Sequence, residues 1–287
     1  MGKDRNSYSK TDLEATFMRM KEDHMLNGQL KPAYNVQIAV ENYFIVHGYI
    51  SNDRTDYNTL IPVLEKHQKA FGSVLEEMTA DSGYCSEKNL LYLKEKGIES
   101  YIKLQDHEKR KTRAYAEDIS KYYNMRVEVF EDEQFYICHD GRELRHIRTE
   151  TKEQNGYTQT FEVYGCADCS GCEHKARCLY KYNAEKDAEK NKVMKINEQW
   201  KELREKSHAN IQSERGILKR QTRSIQTEGH FGDIKENENF RRFNYRSADK
   251  VYKEFMLSAI GRNINKYCRF LNEKLKKFEG KTTEKTA

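Results

Sequence analysis

The feature that most constrains the fold is an early pair of strand patterns joined by a very short turn. Residues 34–40, Tyr-Asn-Val-Gln-Ile-Ala-Val, alternate apolar and polar side chains, which is typical of a half-buried strand. Residues 44–50, Phe-Ile-Val-His-Gly-Tyr-Ile, form a second strand pattern, and only residues 41–43 separate the two. The sequence therefore predicts an antiparallel β-hairpin.

Helices and strands alternate after this hairpin. Capping residues precede a helix predicted over residues 56–70, and residues 74–80 form a third strand that ends just before Asp81. Ser86 can cap a second helix, and residues 99–103 form a fourth strand. This order of elements predicts a mixed α/β sheet with helices packed on it.

The following part of the chain departs from this alternation. Short strand patterns and one hairpin turn signal come next, at residues 127–130, 134–138 and 158–163, with the turn at Asn155-Gly156. Residues 184–270 lack proline and have few β-branched runs, which favours helices.

We predict three segments from this organisation. Residues 1–104 form the first part of an α/β core, residues 105–190 form an insertion, and residues 191–287 form a helical part that completes the core. The polar stretch 1–10 indicates either a loop cut from a longer protein or an ordinary frayed terminus.

Four of the seven cysteines fall within thirteen residues of the insertion, at Cys166, Cys169, Cys172 and Cys178. Their spacing, C-x2-C-x2-C-x5-C, lets thiolates converge on one tetrahedral ion, and zinc is the usual ion in such sites. Disulfides are not expected in an intracellular chain. The pattern therefore predicts a closed, structural Zn²⁺ site.

Other interpretations of the cysteines stay open. Cys138, His139 or His174 can replace one of the four ligands. Closely spaced cysteines also bind iron–sulfur clusters, but the fourth spacing does not follow the ferredoxin pattern. A further alternative is a set of thiols that binds no metal. Cys85 and Cys268 are isolated, and we expect them to be packing residues.

Charge gives weak evidence about partners. The chain has 51 Lys and Arg residues against 46 Asp and Glu residues, a net charge of +5. This excess alone does not indicate nucleic-acid binding, but basic residues concentrate in 201–223 and 241–275. No apolar run of about 18 residues and no signal peptide is present, so we expect a soluble, cytoplasmic protein without a membrane segment.

Two acidic residues lie in settings that suit metal binding. Asp81 directly follows the third strand pattern, and Glu228 lies in a basic stretch that is predicted to be helical. Carboxylates on a strand end and on a distant helix are ligands from which two-metal phosphoryl-transfer sites are assembled. Taken singly, Asp81 also suits a turn or helix cap, and Glu228 a solvated helix face.

Basic residues accompany Glu228. Lys235 follows it by seven residues, which places both on one helix face about two turns apart. Arg223 precedes Glu228 by a little more than one turn. Residues 240–246, Phe-Arg-Arg-Phe-Asn-Tyr-Arg, interleave aromatic rings with arginines, a pattern that suits stacking on bases and contact with phosphates.

Together these segments resemble bacterial insertion-sequence transposases of the DDE type. Residues 80–89, Ala-Asp-Ser-Gly-Tyr-Cys-Ser-Glu-Lys-Asn, resemble the segment of their second catalytic aspartate. Residues 226–235, together with 240–243, resemble the segment of their catalytic glutamate. Residues 9–12 and 28–37 resemble the stretch that follows their first strand. Residues 166–178 resemble a cysteine-rich insertion found in one branch of the family. The resemblance covers nearly the whole chain.

The resemblance implies an RNase H-like mixed sheet flanked by helices, with a small cysteine-rich β insertion and C-terminal helices. It implies cleavage and joining of double-stranded DNA with two divalent ions, Mg²⁺ or Mn²⁺, held by Asp81 and Glu228. The DNA-binding residues that it implies are Lys235, Arg223, Arg241 and Arg242. Such enzymes act as multimers on paired DNA ends, so it also implies a homodimer.

The chain departs from the family pattern at three points. The tyrosine that usually precedes the arginine is absent, and Arg223 lies one residue further from Glu228 than in the commonest spacing. The first catalytic aspartate of these enzymes lies on the first strand of the core. In this chain no strand pattern precedes residue 9. Asp12 is a poor substitute, because its surroundings indicate a loop. We therefore expect a portion of a transposase without the first catalytic aspartate and the N-terminal DNA-binding region.

Three functional hypotheses remain at this point. The leading one is the catalytic domain of a DDE transposase. The second is a catalytically inactive, DNA-binding remnant of such an enzyme, which binds duplex DNA in a salt-dependent way without cleaving it. The third is a zinc-dependent module whose cysteine-rich insertion binds another protein.

Overall fold

The computed structural model describes residues 9–19, 27–154, 156–240 and 242–283, without the side chains of residues 154 and 275–283. This part of the chain divides into two compact units, the first within residues 1–101 and 213–287 and the second within residues 102–212. The three-segment division predicted from the sequence stays a prediction.

The strands of the described residues are β1 (Thr16–Arg19), β2 (Leu30–Ala33), β3 (Asn35–Glu41), β4 (Phe44–Ser51), β5 (Glu77–Ala80), β6 (Glu99–Ile102), β7 (Arg126–Phe130), β8 (Glu133–Ile137), β9 (Glu143–Gln154), β10 (Tyr157–Cys166) and β11 (Val193–Ile196).

The α-helices of the same residues are α1 (Leu60–Phe71), α2 (Glu87–Glu95), α3 (Arg113–Ala116), α4 (Lys175–Cys178), α5 (Glu198–Gln212), α6 (Glu214–Arg223), α7 (Gly229–Gly232) and α8 (Ala248–Thr283). Two π-helical segments, Ser224–Glu228 and Asp233–Asn237, flank α7. Short 3-10 turns occur at Asp56–Asn58, Ser82–Tyr84, Lys109–Lys111 and Tyr122–Asn124.

The predicted hairpin is confirmed as β3 and β4. The two strands pair antiparallel, with Val36 opposite Ile50. Asn42 and Tyr43 form the turn with φ angles of 47° and 69°. Positive φ values at both central residues are what the tight turns of β-hairpins require, because their twist matches that of the strands.

Helix α8 packs on this hairpin through one face. Val251, Phe255 and Ala259 follow one another at intervals of four residues and are buried. They form a core cluster with Ile45 and Ile50 of β4. The four-residue spacing puts the three side chains in one stripe along the helix, so this stripe fixes which face of α8 meets the sheet.

Backbone contacts hold α8 close to β4. A Cβ atom added at Gly48 would lie 2.9 Å from Met256 Sδ and 3.1 Å from a ring carbon of Phe255, so a larger residue would push the helix away. Asn263 accepts a hydrogen bond from Ile45 N at 3.0 Å and donates one to Ile45 O at 2.8 Å. At this point of β4 a side chain therefore takes the place of a neighbouring strand.

The alternation predicted after the hairpin is confirmed, with shorter elements. Helix α1 begins at Leu60 because the 3-10 turn Asp56–Asn58 precedes it. The third strand is reduced to Glu77–Ala80. Ser86 caps α2 as expected, since its hydroxyl accepts a hydrogen bond from Asn89 N at 3.2 Å.

These strands do not join into the single mixed sheet that the sequence predicted. Strand β3 pairs with β4, and β5 pairs with β6, in two separate two-stranded sheets. The reason is that no described strand lies between β3 and β5. The mixed α/β class holds, whereas the described strands do not by themselves form an RNase H-like sheet.

The second unit is built on a five-stranded antiparallel sheet in the order β11-β10-β9-β8-β7. The predicted strands at 127–130, 134–138 and 158–163 are confirmed as β7, β8 and β10. Of the predicted turn, Asn155 lies outside the described residues, and Gly156 has a φ angle of 66°.

Two strands of this sheet were not predicted. Strand β9 is mostly charged, with Leu144 and Ile147 as its large apolar residues, and its surface side includes the ion pair of Arg145 with Glu133 at 2.9 Å. Strand β11 lies in a stretch predicted to be helical. In both cases cross-strand pairing, which periodicity does not report, stabilises the strand.

The structure contains no candidate membrane span: within the residues that it describes, every helix is too short or too polar to cross a bilayer.

The packing of α8 gives a first testable prediction. Phe255→Ala removes a buried ring between helix and hairpin, and we expect it to lower the free energy of unfolding by about 3–5 kcal/mol. Urea unfolding followed by circular dichroism measures this. Lys250→Ala, on the exposed part of the same helix, should change the value by no more than about 0.5 kcal/mol. Equal effects of the two substitutions would contradict the described packing.

Candidate active site

A cleft of about 1270 Å³ lies within the first unit. Side chains of β3 line it, as do those of β5 together with Asp81, and those of a helical stretch that includes Arg223, Glu228 and Lys235. The residues that the sequence singled out on distant segments therefore face one common space.

Asp81 lies at the point where β5 ends. Its Oδ1 accepts a hydrogen bond from Ser82 N at 2.7 Å, so it caps the 3-10 turn Ser82–Tyr84. Asp81 therefore stabilises a turn, which is the role that the sequence analysis gave as the alternative to metal binding. The side chain is nevertheless 57% exposed, and its Oδ2 lies 3.7 Å from Nη2 of Arg223. One carboxylate oxygen thus stabilises the turn while the other faces the cleft.

Arg223 joins the two predicted carboxylates. Its Nη1 lies 3.5 Å from Glu228 Oε1, and its guanidinium is 22% exposed while Glu228 is 64% exposed. Ser224 Oγ donates to the second oxygen of Glu228 at 3.1 Å. Exposed ion pairs at these distances contribute little stability, on the order of 0–1 kcal/mol. Their significance is that they place Asp81 and Glu228 on either side of a single cationic group.

A π-helical segment explains the unusual spacing of Arg223 and Glu228. Residues Ser224–Glu228 are π-helical, whereas α6 before them and α7 after them are α-helical. Hydrogen bonds link residues four apart in an α-helix and five apart in a π-helix. The extra residue between Arg223 and Glu228 is therefore absorbed by the wider turn, and both side chains stay on one face.

Ion pairs attach α6 to the strand that leads to Asp81. Arg215 donates to Glu77 at 2.7 Å, and Lys219 also pairs with this carboxylate. Hydrogen bonds from Lys219 and then from Arg215 lower the pKa of Glu77. Because Glu77 begins β5 and Arg223 ends α6, these pairs help to set the distance between Asp81 and Arg223.

Asp56 is a further carboxylate of the cleft that the sequence analysis treated only as part of a helix start. It accepts hydrogen bonds from Asn35 at 2.8 Å and from Gln37 at 2.9 Å. A Cβ atom at Gly83 would lie 2.8 Å from Asp56 Oδ2, so the turn after Asp81 packs directly on Asp56. Asn35 and Gln37, two amide side chains spaced by two residues on β3, are the sequence feature that could have indicated a hydrogen-bond acceptor such as Asp56.

The predicted DNA-binding residues have different positions. Lys235 and Arg242 line the cleft, whereas Arg241 lies outside the described residues. Phe240 and Phe243, which the sequence suggested for stacking on bases, pack against the core cluster of β4 and α8. Their rings meet edge to face with centroids 5.4 Å apart. These two rings thus serve packing, whereas Tyr245 of the same segment is 61% exposed.

A buried network holds the glutamate-bearing helix to the hairpin. His230 of α7 is almost fully buried, and its Nδ1 lies 2.7 Å from Nε of Arg262 on α8. Because arginine can only donate, Nδ1 accepts, and Nε2 carries the proton that is donated to Tyr43 O at 2.9 Å. Arg262 also pairs with Asp233 and Glu238. The sequence analysis missed this network, because its members are spread over distant segments.

Asp12, considered as a substitute for the missing carboxylate, has a structural role. Its carboxylate accepts hydrogen bonds from the Tyr34 hydroxyl at 2.8 Å and from Ser247 N at 3.1 Å, at the start of α8. Burial alone would raise the pKa of Asp12, but the bonds from Tyr34 and Ser247 outweigh it, and the pKa is lowered. Because it accepts the hydrogen bond from Ser247 N, Asp12 caps the start of the long helix α8.

The cysteine cluster does not form the predicted zinc site. Cys166 and Cys169 are buried in an apolar cluster with residues such as Tyr136 and Leu144. The Cys166 thiol donates to Asp168 O at 3.1 Å, and burial raises the pKa of this thiol to about 11. These two thiols therefore contribute to the apolar packing of the second unit.

The remaining cysteines of the cluster, Cys172 and Cys178, are half-buried. Burial raises the pKa of both Cys172 and Cys178. His139 and His174, the alternative ligands, contact each other edge to face with ring centroids 4.7 Å apart. All seven cysteines are free thiols. Cys85 is buried, as expected of a packing residue, whereas Cys268 is exposed, so the packing prediction is wrong for Cys268.

No group of three or more His, Cys, Asp or Glu side chains that could hold a metal ion occurs within the described residues. This finding removes the support for zinc at Cys166, Cys169, Cys172 and Cys178. It also means that Asp81 and Glu228 come together as a pair, without a third described ligand in coordinating reach.

The network around His230 predicts a specific pH dependence. Burial lowers the pKa of His230, and the nearby charge of Arg262 lowers it further. The folded-state pKa is thus below that of the unfolded chain, about 6.5. The stability contributed by the neutral ring is therefore complete above this value and is lost as the pH falls below it.

We expect the free energy of unfolding to decrease between pH 7 and pH 5 by on the order of 1 kcal/mol more in the native chain than in His230→Gln. Glutamine can still accept from Arg262 and donate to Tyr43, but it does not titrate. Urea unfolding at several pH values measures the difference. Identical pH profiles for the two proteins would show that His230 does not titrate on unfolding as described.

Comparison with known proteins gives one match. Residues 137–268 match the family model described as Transposase DDE domain. This range contains the cysteine cluster, Arg223, Glu228 and Lys235, and it does not contain Asp81. No curated protein and no solved structure matches the chain. Over residues 137–268 the chain is therefore similar to the DDE domain of transposases.

Proposed function

We propose that this chain is the catalytic domain of a DNA transposase, which cleaves and joins DNA strands during the movement of an insertion sequence. One observation carries the proposal: Asp81 and Glu228, from segments far apart in the chain, flank the same guanidinium of Arg223. Both carboxylates are more than half exposed and line a cleft to which Lys235 and Arg242 also contribute.

Asp81 and Glu228 fit a divalent cation such as Mg²⁺ or Mn²⁺. Carboxylate oxygens are the ligands that these ions prefer, and each side chain keeps an oxygen that faces Arg223 and the cleft. When bound, such ions supply Lewis-acid activation of the attacking hydroxyl and stabilise the leaving oxygen. Arg223 already shows that a cation is tolerated between the two carboxylates.

The basic residues supply the contacts to DNA in this proposal. Lys235 and Arg242 line the cleft and bind phosphates as positive charges, without reading the base sequence. Arg223 lies between the two carboxylates in the cleft, and with a metal bound to them its guanidinium would be free to contact a phosphate. Orientation of the scissile phosphate is the task that we assign to Arg223.

We further propose that the described residues lack the first of three carboxylates and that the complete core is RNase H-like. Two observations support this: among the described residues no group of three possible metal ligands forms, and β3 and β5 line the same cleft while each pairs with one described strand only. An unpaired strand edge is a template for another strand. A strand inserted here would join the two sheets and place a carboxylate beside Asp81.

The alternative is a catalytically inactive remnant that binds DNA. The same observations favour it, because a pair of carboxylates holds a metal less firmly than a set of three. The zinc-dependent module has no support from the described cysteines. A cytoplasmic location also remains a prediction from the sequence.

Cleavage of supercoiled plasmid DNA by the full chain, with Mg²⁺ or Mn²⁺, distinguishes the two hypotheses. If the chain is active, we expect Asp81→Asn and Glu228→Gln to lower the rate by at least on the order of 100-fold, because each removes a charge from the reacting centre. Asp132→Asn, in an exposed turn of the second unit, is the matched control and should keep the full rate.

Cleavage that persists in both variants would disprove the assignment of Asp81 and Glu228. Absence of cleavage in the native chain, with DNA binding retained, would favour the inactive remnant.

DNA binding gives a separate prediction. Lys235→Ala and Arg242→Ala should each weaken duplex binding at low salt and reduce the slope of log K against log salt by about 0.9, the contribution of one phosphate contact. Fluorescence anisotropy over a salt series measures this slope. Lys253→Ala removes an exposed lysine that does not line the cleft and should leave the slope unchanged. Unchanged slopes in the first two variants would place the DNA elsewhere.

A further inference from the structure

Asp56 and the turn that follows Asp81 are in direct contact at the cleft. A Cβ atom added at Gly83 would lie 2.8 Å from Oδ2 of Asp56 and 3.5 Å from the Cβ and Cγ atoms of the same side chain. Only glycine therefore fits at this position while the Asp56 side chain keeps its place. Gly83 belongs to the 3-10 turn Ser82–Tyr84, which Asp81 caps. A displacement of this turn would carry Asp81 with it.

The Asp56 carboxylate is fixed from its other side. Its Oδ1 accepts hydrogen bonds from Asn35 Nδ2 at 2.8 Å and from Gln37 Nε2 at 2.9 Å. Gln37 is buried, and its amide also donates to Oδ1 of Asn35 at 2.7 Å, so the two donors hold each other. Because both donors belong to β3, Asp56 links the hairpin to the turn that carries Asp81.

A second contact joins the same two segments. Asn89 of α2 is buried, and its Nδ2 donates to Tyr57 O at 2.9 Å and to Tyr84 O at 2.8 Å. The backbone next to Asp56 and the backbone next to Gly83 thus share one donor. Two attachments fix the turn more firmly than one, because they prevent its rotation about a single contact.

The charges of Asp56 and Asp81 act on one phenol. Burial raises the pKa of Tyr84, and the negative charge of Asp56 raises it further, with a smaller contribution from Asp81. The positive charge of Arg223 opposes both. Since such interactions weaken with distance, the three charged groups lie around the same ring, which also lines the cleft.

We infer that Asp56 is a positioning residue of the candidate active site. It holds Gly83 in place and thereby directs the free oxygen of Asp81 toward a divalent cation in the cleft. Its own oxygens face the amides of β3 and Gly83, so it acts through Asp81 and not as a ligand. The inference rests on the proposed function, because it requires that Asp81 binds an ion.

Titration of the full chain with Mn²⁺, with the free ion measured by electron paramagnetic resonance, tests this role. We expect Asp56→Ala and Gly83→Ala each to weaken Mn²⁺ binding by on the order of 10-fold, as is usual when the support of a metal ligand is removed. Asp56→Asn keeps an oxygen for the amides of β3 and the size of the side chain, so it should recover most of this loss.

The double variant Asp56→Ala with Gly83→Ala separates positioning from the loss of a charge. Without the carboxylate, the new Cβ at position 83 meets only Cβ of residue 56 at 3.5 Å, an ordinary contact distance. The second substitution should therefore add little to the first. Losses that multiply would show that the two residues act independently, and they would overturn the inference.

Controls distinguish this inference from the proposed function. Asp53→Asn removes a nearby carboxylate that does not line the cleft and should keep the native affinity. Asp81→Asn removes the ligand itself. Native affinity in Asp56→Ala and in Gly83→Ala, with binding lost in Asp81→Asn, would overturn the positioning role alone. A native chain that binds no Mn²⁺, or binding that persists in Asp81→Asn, would overturn the proposed function as well.

Circular dichroism of each variant shows whether a loss of affinity comes from unfolding. Gly83→Ala leaves the amides of Asn35 and Gln37 with their acceptor, so it carries the test if Asp56→Ala does not fold. A folded Gly83→Ala chain with weakened Mn²⁺ binding is the expected result, and a folded one with native affinity contradicts the role of Asp56.

Discussion

One buried guanidinium determines how the first unit is assembled. The Arg262 side chain is only 9% exposed, and it pairs with Asp233 and Glu238 while donating to His230. A buried charge is tolerated only when its hydrogen bonds are complete, and removal of one partner is costly. Through this group α8, the hairpin turn and the glutamate-bearing helix hold one another, so the position of Glu228 depends on residues that do not touch the site.

The candidate site shows how exposed carboxylates can keep a defined geometry. Asp81 is fixed by the turn that it caps, and α6 is fixed by the ion pairs of Glu77. Arg223 then lies between Asp81 and Glu228 without any of the acidic groups being buried. Burial would raise the pKa of such carboxylates and favour their protonated forms, which bind cations poorly. Because contacts outside the cleft hold the surrounding elements in place, the two carboxylates have a defined position without being buried.

Local patterns in the sequence predicted much of the first unit. The hairpin, both early helices and the position of Asp81 at a strand end follow from alternation, capping and turn chemistry, which act over a few residues. The network of His230 and Arg262, and the capping of α8 by Asp12, join residues that are far apart and have no local signature. The zinc prediction gains no support from the described residues, because cysteine spacing alone does not fix how the thiols are arranged in space. The charged strand β9 was missed for a similar reason, since its stability comes from its neighbours in the sheet.

The π-helical segment before Glu228 has a consequence for how sequences of this kind are compared. It holds one surplus residue in a helix whose two ends remain in place. Loss of that residue would let the segment return to α-helical geometry, with the arginine still on the face of the glutamate. An alignment would record such an event as a gap within a motif, although the active groups had not moved. Motif searches that demand a fixed interval between arginine and glutamate would therefore reject chains whose chemistry is the same.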